Sequence, residues 1–197
     1  MPKRSLKEDL IAAGLKVMFR QGYVGSGVRE IVAEAGAAQG SFTNHFRSKE
    51  GFAGAVLDRY FEHTSALVAR SLEDRTLTPR RRLLAYLDNI IAQLEGDGFG
   101  RGCLIGDLSA EASGVSEPLR CRLQEIFATW REPFAACIAE AQATGEIGAD
   151  FAPLELAEFL LASWEGAILR MKVERSAEPL ERFKRIAFAT VYKEKDQ

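Results

Sequence analysis

The sequence predicts an all-α protein of nine helices. Apolar residues recur every three or four positions through most of the chain, the spacing that places them on one face of a helix. No segment combines period-two alternation with an enrichment in β-branched residues, so the sequence offers no candidate strand. Typical helix-starting and helix-ending residues separate the periodic segments. The hydrophobic content of 47% over 197 residues is enough for a sizeable core.

The first three predicted helices lie within the first 46 residues. Residues 5–8, Ser-Leu-Lys-Glu, form a capping box, in which the Ser oxygen can accept from a backbone N–H and the Glu can reach back. Gly22 is predicted to end this first helix. The second begins at Ser26 or Gly27 and is broken at Gly36, and the third runs over about residues 38–46.

Six further helices are predicted from their caps and apolar stripes. Ser48 is a favourable N-cap for the fourth helix, and Thr78-Pro79 gives the fifth a cap and a first-turn proline. Pro133 lies inside the seventh helix and is expected to kink or break it, because proline lacks the N–H and clashes with the preceding turn. The predicted bounds of the last four helices are about 103–112, 116–145, 153–173 and 179–192.

The third predicted helix has the properties of a DNA-recognition helix. It is short, and Phe42 and Phe46, spaced i and i+4, give it a face that can pack on a core. Its other face carries small and polar side chains. Gln can bond adenine in a bidentate way, and the Thr methyl can contact a thymine methyl. The candidate groove contacts are Gln39, Gly40, Ser41, Thr43 and Asn44.

Basic residues near this segment are candidate phosphate contacts. Residues 1–50 contain eight Lys and Arg against five Asp and Glu, whereas residues 51–197 contain 18 against 23. A basic end on an acidic body suits nucleic-acid binding by that end, although ordinary surface variation would also produce such a difference. The candidate phosphate contacts are Arg4, Arg29, His45 and Lys49.

Several motifs in this region resemble the TetR family of bacterial one-component regulators. They are Gly-Tyr at 22–23, Val-Arg-Glu-Ile-Val-Ala-Glu-Ala-Gly at 28–36, Gly-Ser-Phe at 40–42 and His-Phe-Arg-Ser-Lys-Glu at 45–50. The resemblance implies an all-helical homodimer, whose N-terminal helices bind a palindromic double-stranded DNA operator and whose body binds a small-molecule effector that releases the DNA. The main shift in composition falls near Arg47 and Ser48, so we expect a small basic DNA-binding domain over residues 1–47 and a larger helical effector-binding and dimerisation domain over residues 48–197.

The sequence departs from the family pattern at three positions. Gly27 stands where the family usually has Thr or Ser, Ala38 where it often has a capping Ser, and Thr43 where it usually has Tyr. The set of DNA contacts therefore cannot be copied from relatives. A ligand-binding helical dimer without operator binding is the alternative that these departures leave open.

Aromatic residues mark a candidate effector site in the body. Apolar pockets between the helices of a bundle commonly bind small ligands, although aromatic residues at helical spacing often only fill the core. Tyr86 would add a polar group. A kink at Pro133 would either open a cavity beside Trp130 and Phe134 or serve only to curve the helix around the core. The candidate effector-binding residues are Tyr86, Phe99, Cys103, Phe127, Trp130, Phe134 and Trp164.

Cys103 is a candidate reactive thiol. It follows Arg101-Gly102 at a predicted helix start, and both the cation and the helix N-terminus favour the thiolate. Its surroundings, Gly102-Cys103-Leu104 followed by Leu-Ser-Ala-Glu at 108–111, resemble the subgroup of the N-ethylmaleimide-responsive repressor, which implies sensing of electrophiles and oxidants. A buried, inert thiol is the alternative, and Cys121 and Cys137 are expected to be structural.

The last two helices are predicted to form the dimer. Their apolar stripes would make a four-helix bundle with a second copy, or would face only their own core. The candidate interface residues are Leu156, Phe159, Leu160, Ser163, Ala167, Ile168, Phe183 and Ile186.

Other functions and compartments are disfavoured. His45 and His63 lie far apart, and no zinc or nucleotide motif is present, so we expect no enzyme, metal or cofactor. An odd number of widely spaced cysteines disfavours a disulfide framework. Without a signal-like N-terminus or a long apolar run, the cytoplasm is the expected location.

Overall fold

The computed structural model describes residues 5–193, and in that range it consists of α-helices without strands. The predicted all-α class and the number of helices are confirmed. The helices are α1 Leu6–Gly25, α2 Val28–Glu34, α3 Ser41–His45, α4 Lys49–Leu72, α5 Pro79–Gly96, α6 Leu104–Ala112, α7 Glu117–Ala143, α8 Pro153–Glu174 and α9 Glu178–Thr190.

Serine side chains cap three of these helices. The Ser5 hydroxyl accepts from the Glu8 N–H at 3.3 Å, and the Ser48 hydroxyl accepts from the Gly51 N–H at 3.1 Å. The Ser116 hydroxyl accepts from the Leu119 N–H at 3.4 Å. Thr78 precedes α5 in an extended conformation but makes no side-chain cap, so that part of the prediction is wrong. Such caps satisfy backbone N–H groups that have no partner within the helix.

Two local features differ from the sequence expectation. α3 is shorter than predicted, because residues 38–40 form a turn in which the Ser41 N–H bonds the Ala38 carbonyl at 2.9 Å. α7 continues through Pro133, so the predicted break is wrong. A proline costs the helix only one internal bond, and the flanking turns, which bury Trp130 and Phe134, remain helical.

The chain divides into two compact units. Unit 1 contains residues 5–63 and 104–126, and unit 2 contains residues 64–103 and 127–193. α6 and the start of α7 therefore belong to the same unit as α1, α2 and α3. This grouping differs from a single cut between residues 47 and 48, because long-range packing and not chain order defines it. Among residues 5–193, no helix has both the length and the apolar character that a membrane crossing requires.

Candidate DNA interface and effector site

Two phenylalanines anchor α3 in unit 1, as the sequence predicts. Phe42 and Phe46 are buried, and their ring centroids lie 5.1 Å and 4.8 Å from that of Phe52 at the start of α4. Phe52 in turn packs against α1 at Gly14, where an added Cβ would collide with the ring. The aromatic cluster thus joins α1, α3 and α4 and fixes which face of α3 is exposed.

The opposite face of α3 is exposed and polar. Asn44 and His45 are exposed, while Ser41 is half-buried. Gln39 and Gly40, predicted to lie in this helix, are exposed in the turn that precedes it. The exposed Thr43 donates its hydroxyl hydrogen to the Gly40 carbonyl at 3.0 Å. Because that hydroxyl is used within the segment, the methyl group is the part of Thr43 best suited to a base contact.

The candidate phosphate contacts fall into different environments. Arg29 on α2 is exposed, whereas Arg4 lies outside the described residues. Lys49 is half-buried: its Nζ donates to the Val24 carbonyl at 3.3 Å and lies 4.6 Å from the centroid of the Tyr23 ring. Burial lowers the pKa of Lys49, and the Glu111 carboxylate partly offsets this effect. Lys49 therefore has a structural role in unit 1 that the sequence did not reveal.

Glu111 is a second residue that sequence reasoning missed. Its Oε2 accepts from the Val24 N–H at 3.1 Å, across 87 positions of sequence. In the sequence it was visible only as the last residue of the short motif at 108–111. The available signal was Gly22, where φ is +72° and an added Cβ would lie 2.5 Å from the Glu111 carboxyl carbon.

Four of the predicted effector residues are almost fully buried in unit 2. Tyr86 and Phe134 pack edge to face at 4.9 Å, and the half-buried Phe127 stacks on Trp130 at 6.2 Å. The indole N–H groups of Trp130 and Trp164 are buried without a hydrogen-bond acceptor. The remaining aromatic residue, Phe99, is half-buried with φ of +55°.

The pKa of the Tyr86 hydroxyl depends on its burial and on nearby polar groups. Burial raises the pKa of its hydroxyl strongly, and the charges of Cys103 and Glu165 raise it further. The Trp130 indole opposes this rise slightly, although its N–H does not form a well-aligned hydrogen bond. Trp130, Cys103 and Glu165 are therefore the residues whose charge or polar group acts on the Tyr86 hydroxyl.

The three cysteines differ in exposure. Cys103 is buried and immediately precedes α6. Arg101, predicted to favour its thiolate, is exposed and lies 3.8 Å from the Asp97 carboxylate. Cys137 is buried and donates to the Pro79 carbonyl at 3.3 Å, and burial raises the pKa of its thiol to about 11. Cys121 is exposed, which sets it apart from a buried structural thiol.

The predicted dimer stripe divides into a buried and an exposed part. Leu156, Leu160 and Ile168 are buried in the chain's own core, so they offer no surface to a second copy. An apolar groove of about 360 Å³ lies between α8 and α9. Phe159 and Ile186 are about half exposed there. The predicted interface residues that line the groove are Phe159, Ser163, Ala167, Phe183 and Ile186.

Comparison with known proteins identifies the class. Residues 10–56 match the family model of bacterial regulatory proteins, tetR family. Residues 79–187 match the tetracyclin repressor-like C-terminal domain. The all-helical fold, the exposed polar face of α3 and the two family-model matches together define a helix-turn-helix transcriptional regulator.

Individual relatives cover nearly the whole chain. The HTH-type transcriptional repressor DhaR of Mycobacterium sp. (strain GP1) is 45% identical over 188 residues, covering 95% of this chain and 93% of its own. The HTH-type transcriptional repressor NemR of Escherichia coli (strain K12) is 32% identical over 179 residues, covering 89% and 88%.

Solved structures of similar proteins have the same fold as this chain. The regulatory protein TetR from Rhodobacter sphaeroides superposes with a TM-score of 0.87 at 37% identity, covering 92% of this chain and 97% of its own. The reduced form of E. coli NemR gives a TM-score of 0.90 at 29% identity, covering 98% and 100%. The chain belongs to the TetR family of transcriptional regulators. This confirms the predicted family and the predicted DNA binding. It also confirms that the chain belongs to a family of regulators and not of enzymes.

Proposed function

We propose that this regulator is a repressor that binds a palindromic operator as a homodimer and leaves it when a small effector acts on unit 2. The observation that carries operator binding is α3, a short helix fixed by two buried phenylalanines with an exposed polar opposite face. A two-fold dimer presents two such helices, which requires two half-sites related by the same symmetry.

The proposed DNA contacts follow from exposure. Gln39, Ser41, Thr43 and Asn44 contact base edges in the major groove. The exposed Arg29 contacts phosphate. His45, exposed at the end of α3, and Arg4 are proposed as phosphate contacts too, and Gly40 allows the backbone to approach. Lys49 contributes mainly through its internal bond to Val24.

The α8–α9 groove supports the proposed homodimer. Its lining is mostly apolar and open to solvent, and Phe159 and Ile186 expose about half of their surface there. Contiguous apolar surface of this kind is typical of interaction sites. Since family members dimerise, a second copy of the same two helices is the proposed occupant.

The buried indoles favour an effector with an oxygen acceptor. A buried N–H without a partner costs roughly 1–3 kcal/mol, which a ligand carbonyl or carboxylate would recover. Trp130 and Trp164 both have such groups among apolar rings. A small, largely apolar molecule with one acceptor therefore suits unit 2. Its binding would shift the equilibrium between DNA-competent and DNA-incompetent states only by its difference in affinity for the two.

We propose more specifically that the effector is an electrophile that reacts with the Cys103 thiol. The charge of that thiol acts on the Tyr86 hydroxyl. The names of two relatives, DhaR and NemR, describe repressors, and the NemR structure is of a reduced form. These similarities support repression and thiol sensing by this chain.

A gel shift with a duplex from the gene's own upstream region tests the proposal. We expect binding that weakens steeply with salt, because phosphate contacts displace counterions. N-ethylmaleimide should release the DNA. Cys121 is exposed and would react too, so the test uses a Cys121→Ser background. In that background, Cys103→Ser should keep operator affinity and lose the release.

Two outcomes contradict parts of the proposal. Release that persists in the Cys103→Ser protein would reject the thiol sensor. A folded dimer that binds none of the upstream DNA even at low salt would reject the repressor and favour a ligand-binding protein without operator binding.

A further inference from the structure

A carboxylate from α6 holds the last turn of α1 at its backbone. Glu111 Oε2 accepts from the Val24 N–H at 3.1 Å. The carboxyl group occupies the space beside Gly22 that any side chain would fill, since an added Cβ would lie 2.5 Å from its carbon. Gly22 itself has φ of +72° and ψ of −175°, a conformation that essentially only glycine adopts. The kink in α1 and the position of Glu111 are therefore matched.

Lys49 binds the carbonyl group of Val24, the residue whose N–H binds Glu111. Its Nζ donates to the Val24 carbonyl at 3.3 Å and lies over the Tyr23 ring. The Glu111 charge also acts directly on Lys49, because it raises the pKa of the ammonium against the larger, opposite effect of burial. Glu111, Val24 and Lys49 thus form one connected group.

A second contact ties the segment after α6 to the start of α4. The Ser116 hydroxyl donates to Glu50 Oε1 at 2.6 Å, while the same oxygen caps α7. Glu50 directly follows Lys49 in the first turn of α4. Two adjacent residues of α4 are therefore connected, directly or through Val24, to the segment 111–116.

The location of these contacts in the sequence gives them their importance. α2 and α3 lie between Val24 and Lys49 in the chain. The bond from Lys49 to Val24 closes this segment at its two ends, and Glu111 attaches the closed end to α6. All of these residues belong to unit 1.

We propose that Glu111 is a positioning residue for DNA binding: by holding Val24, and through it Lys49, it sets the direction in which α3 presents its polar face. In this proposal Glu111 acts through Val24 and not through a contact of its own with DNA. The inference depends on DNA binding by the family fold and does not depend on the nature of the effector.

The sign of the effect separates positioning from simple electrostatics. Removing a carboxylate makes the DNA-binding unit more positive, which by itself strengthens binding to phosphate. Loss of positioning weakens binding instead. Glu111→Ala is expected to reduce affinity about tenfold, the size of effect that losing one charge-assisted hydrogen bond produces.

Three variants of Glu111 test the proposal by fluorescence anisotropy with a labelled duplex from the upstream region. Glu111→Ala and Glu111→Asp should each lose about tenfold, since the shorter Asp keeps the charge but draws its oxygens back from the Val24 N–H. Glu111→Gln should stay within about threefold of wild type, because its amide oxygen still accepts that hydrogen bond. The matched control is Glu117→Ala, whose carboxylate has its partners within its own helix: it pairs with Arg120 at 2.6 Å and accepts from the Cys121 thiol at 3.5 Å.

The double variant Lys49→Ala/Glu111→Ala tests the route through Val24. Because both residues act on Val24, the combined loss should be smaller than the product of the two single losses. Thermal unfolding of each variant shows that it is folded, and if Glu111→Ala is not, the Asp and Gln variants decide. Affinity that is unchanged or tighter in folded Glu111→Ala or Glu111→Asp overturns the proposal, as does full additivity with Lys49→Ala.

Discussion

The substitution Gly22→Ala tests the match between the α1 kink and α6. Gly22 has φ of +72° and ψ of −175°, and its missing side chain leaves the space that the Glu111 carboxyl group fills. An alanine here meets two obstacles at once, since the backbone conformation is unfavourable for any L side chain and the methyl group collides with the carboxylate.

The structure sets the magnitude of this effect. A non-glycine residue in such a sparsely populated conformation costs roughly 1–3 kcal/mol. Displacing Glu111 also removes its bond to the Val24 N–H, which contributes about 1 kcal/mol. The sum is a destabilisation of about 2–4 kcal/mol. For a chain of this size, it corresponds to a fall in Tm of about 5–15 °C.

Circular dichroism during thermal unfolding measures the change, and Gly54→Ala is the matched control. Gly54 lies inside α4, and an added Cβ there has no neighbour within 4 Å. Alanine is a better helix former than glycine, so this control should raise stability by up to about 1 kcal/mol. A lower Tm for Gly22→Ala together with a higher Tm for Gly54→Ala would support the reasoning. A Gly22→Ala protein whose Tm stays within about 2 °C of wild type would refute it.

Three other expectations concern DNA, dimer and thiols. Gln39→Ala should relax base preference at one or two positions per half-site, and an unchanged preference in selection sequencing would count against a base contact. Phe159→Asp should shift the dimer towards monomer in sedimentation, whereas Leu169→Asp, at a residue of α8 that is more exposed but lies outside the groove, should not. At pH 8, iodoacetamide should label Cys121 before Cys137 by peptide mass mapping. The pKa of about 11 leaves the buried thiol with on the order of one thiolate in a thousand, and faster labelling of Cys137 would contradict this.

Local patterns predicted the helices well. Ser5 and Ser48 cap the helices that follow them as expected, because N-capping depends on residues only three positions apart. Ser116, at the predicted start of the seventh helix, caps α7 in the same way. The packed face of α3 was predictable for the same reason, since Phe42 and Phe46 are one turn apart. The predicted start of α3 and the predicted effect of Pro133 on α7 were less accurate, because the local sequence there allows more than one conformation. α3 begins later than expected, and α7 continues through Pro133.

The candidate site was predictable only in part. Exposure of Gln39, Asn44 and Arg29 agrees with a DNA-facing role. The apolar stripe of α8 gave no means to separate Leu160, which faces its own core, from Phe159, which lines the groove. A helical stripe reports which residues are apolar, but not which of two neighbours each one meets.

The helical class, the packed phenylalanine face of the third helix and the family could be inferred from the amino-acid sequence, because each depends on residues close together in the chain. The contacts of Glu111 and Lys49 are visible only in the folded chain. Glu111 reaches Val24 across 87 positions, and Lys49 bonds the same residue from the start of α4. Contacts between distant residues leave no periodic trace, so the sequence placed Gly22 and Glu111 in two separate short motifs and did not connect them. Folding brings both together and turns the end of α1 into an attachment point for the DNA-reading helices.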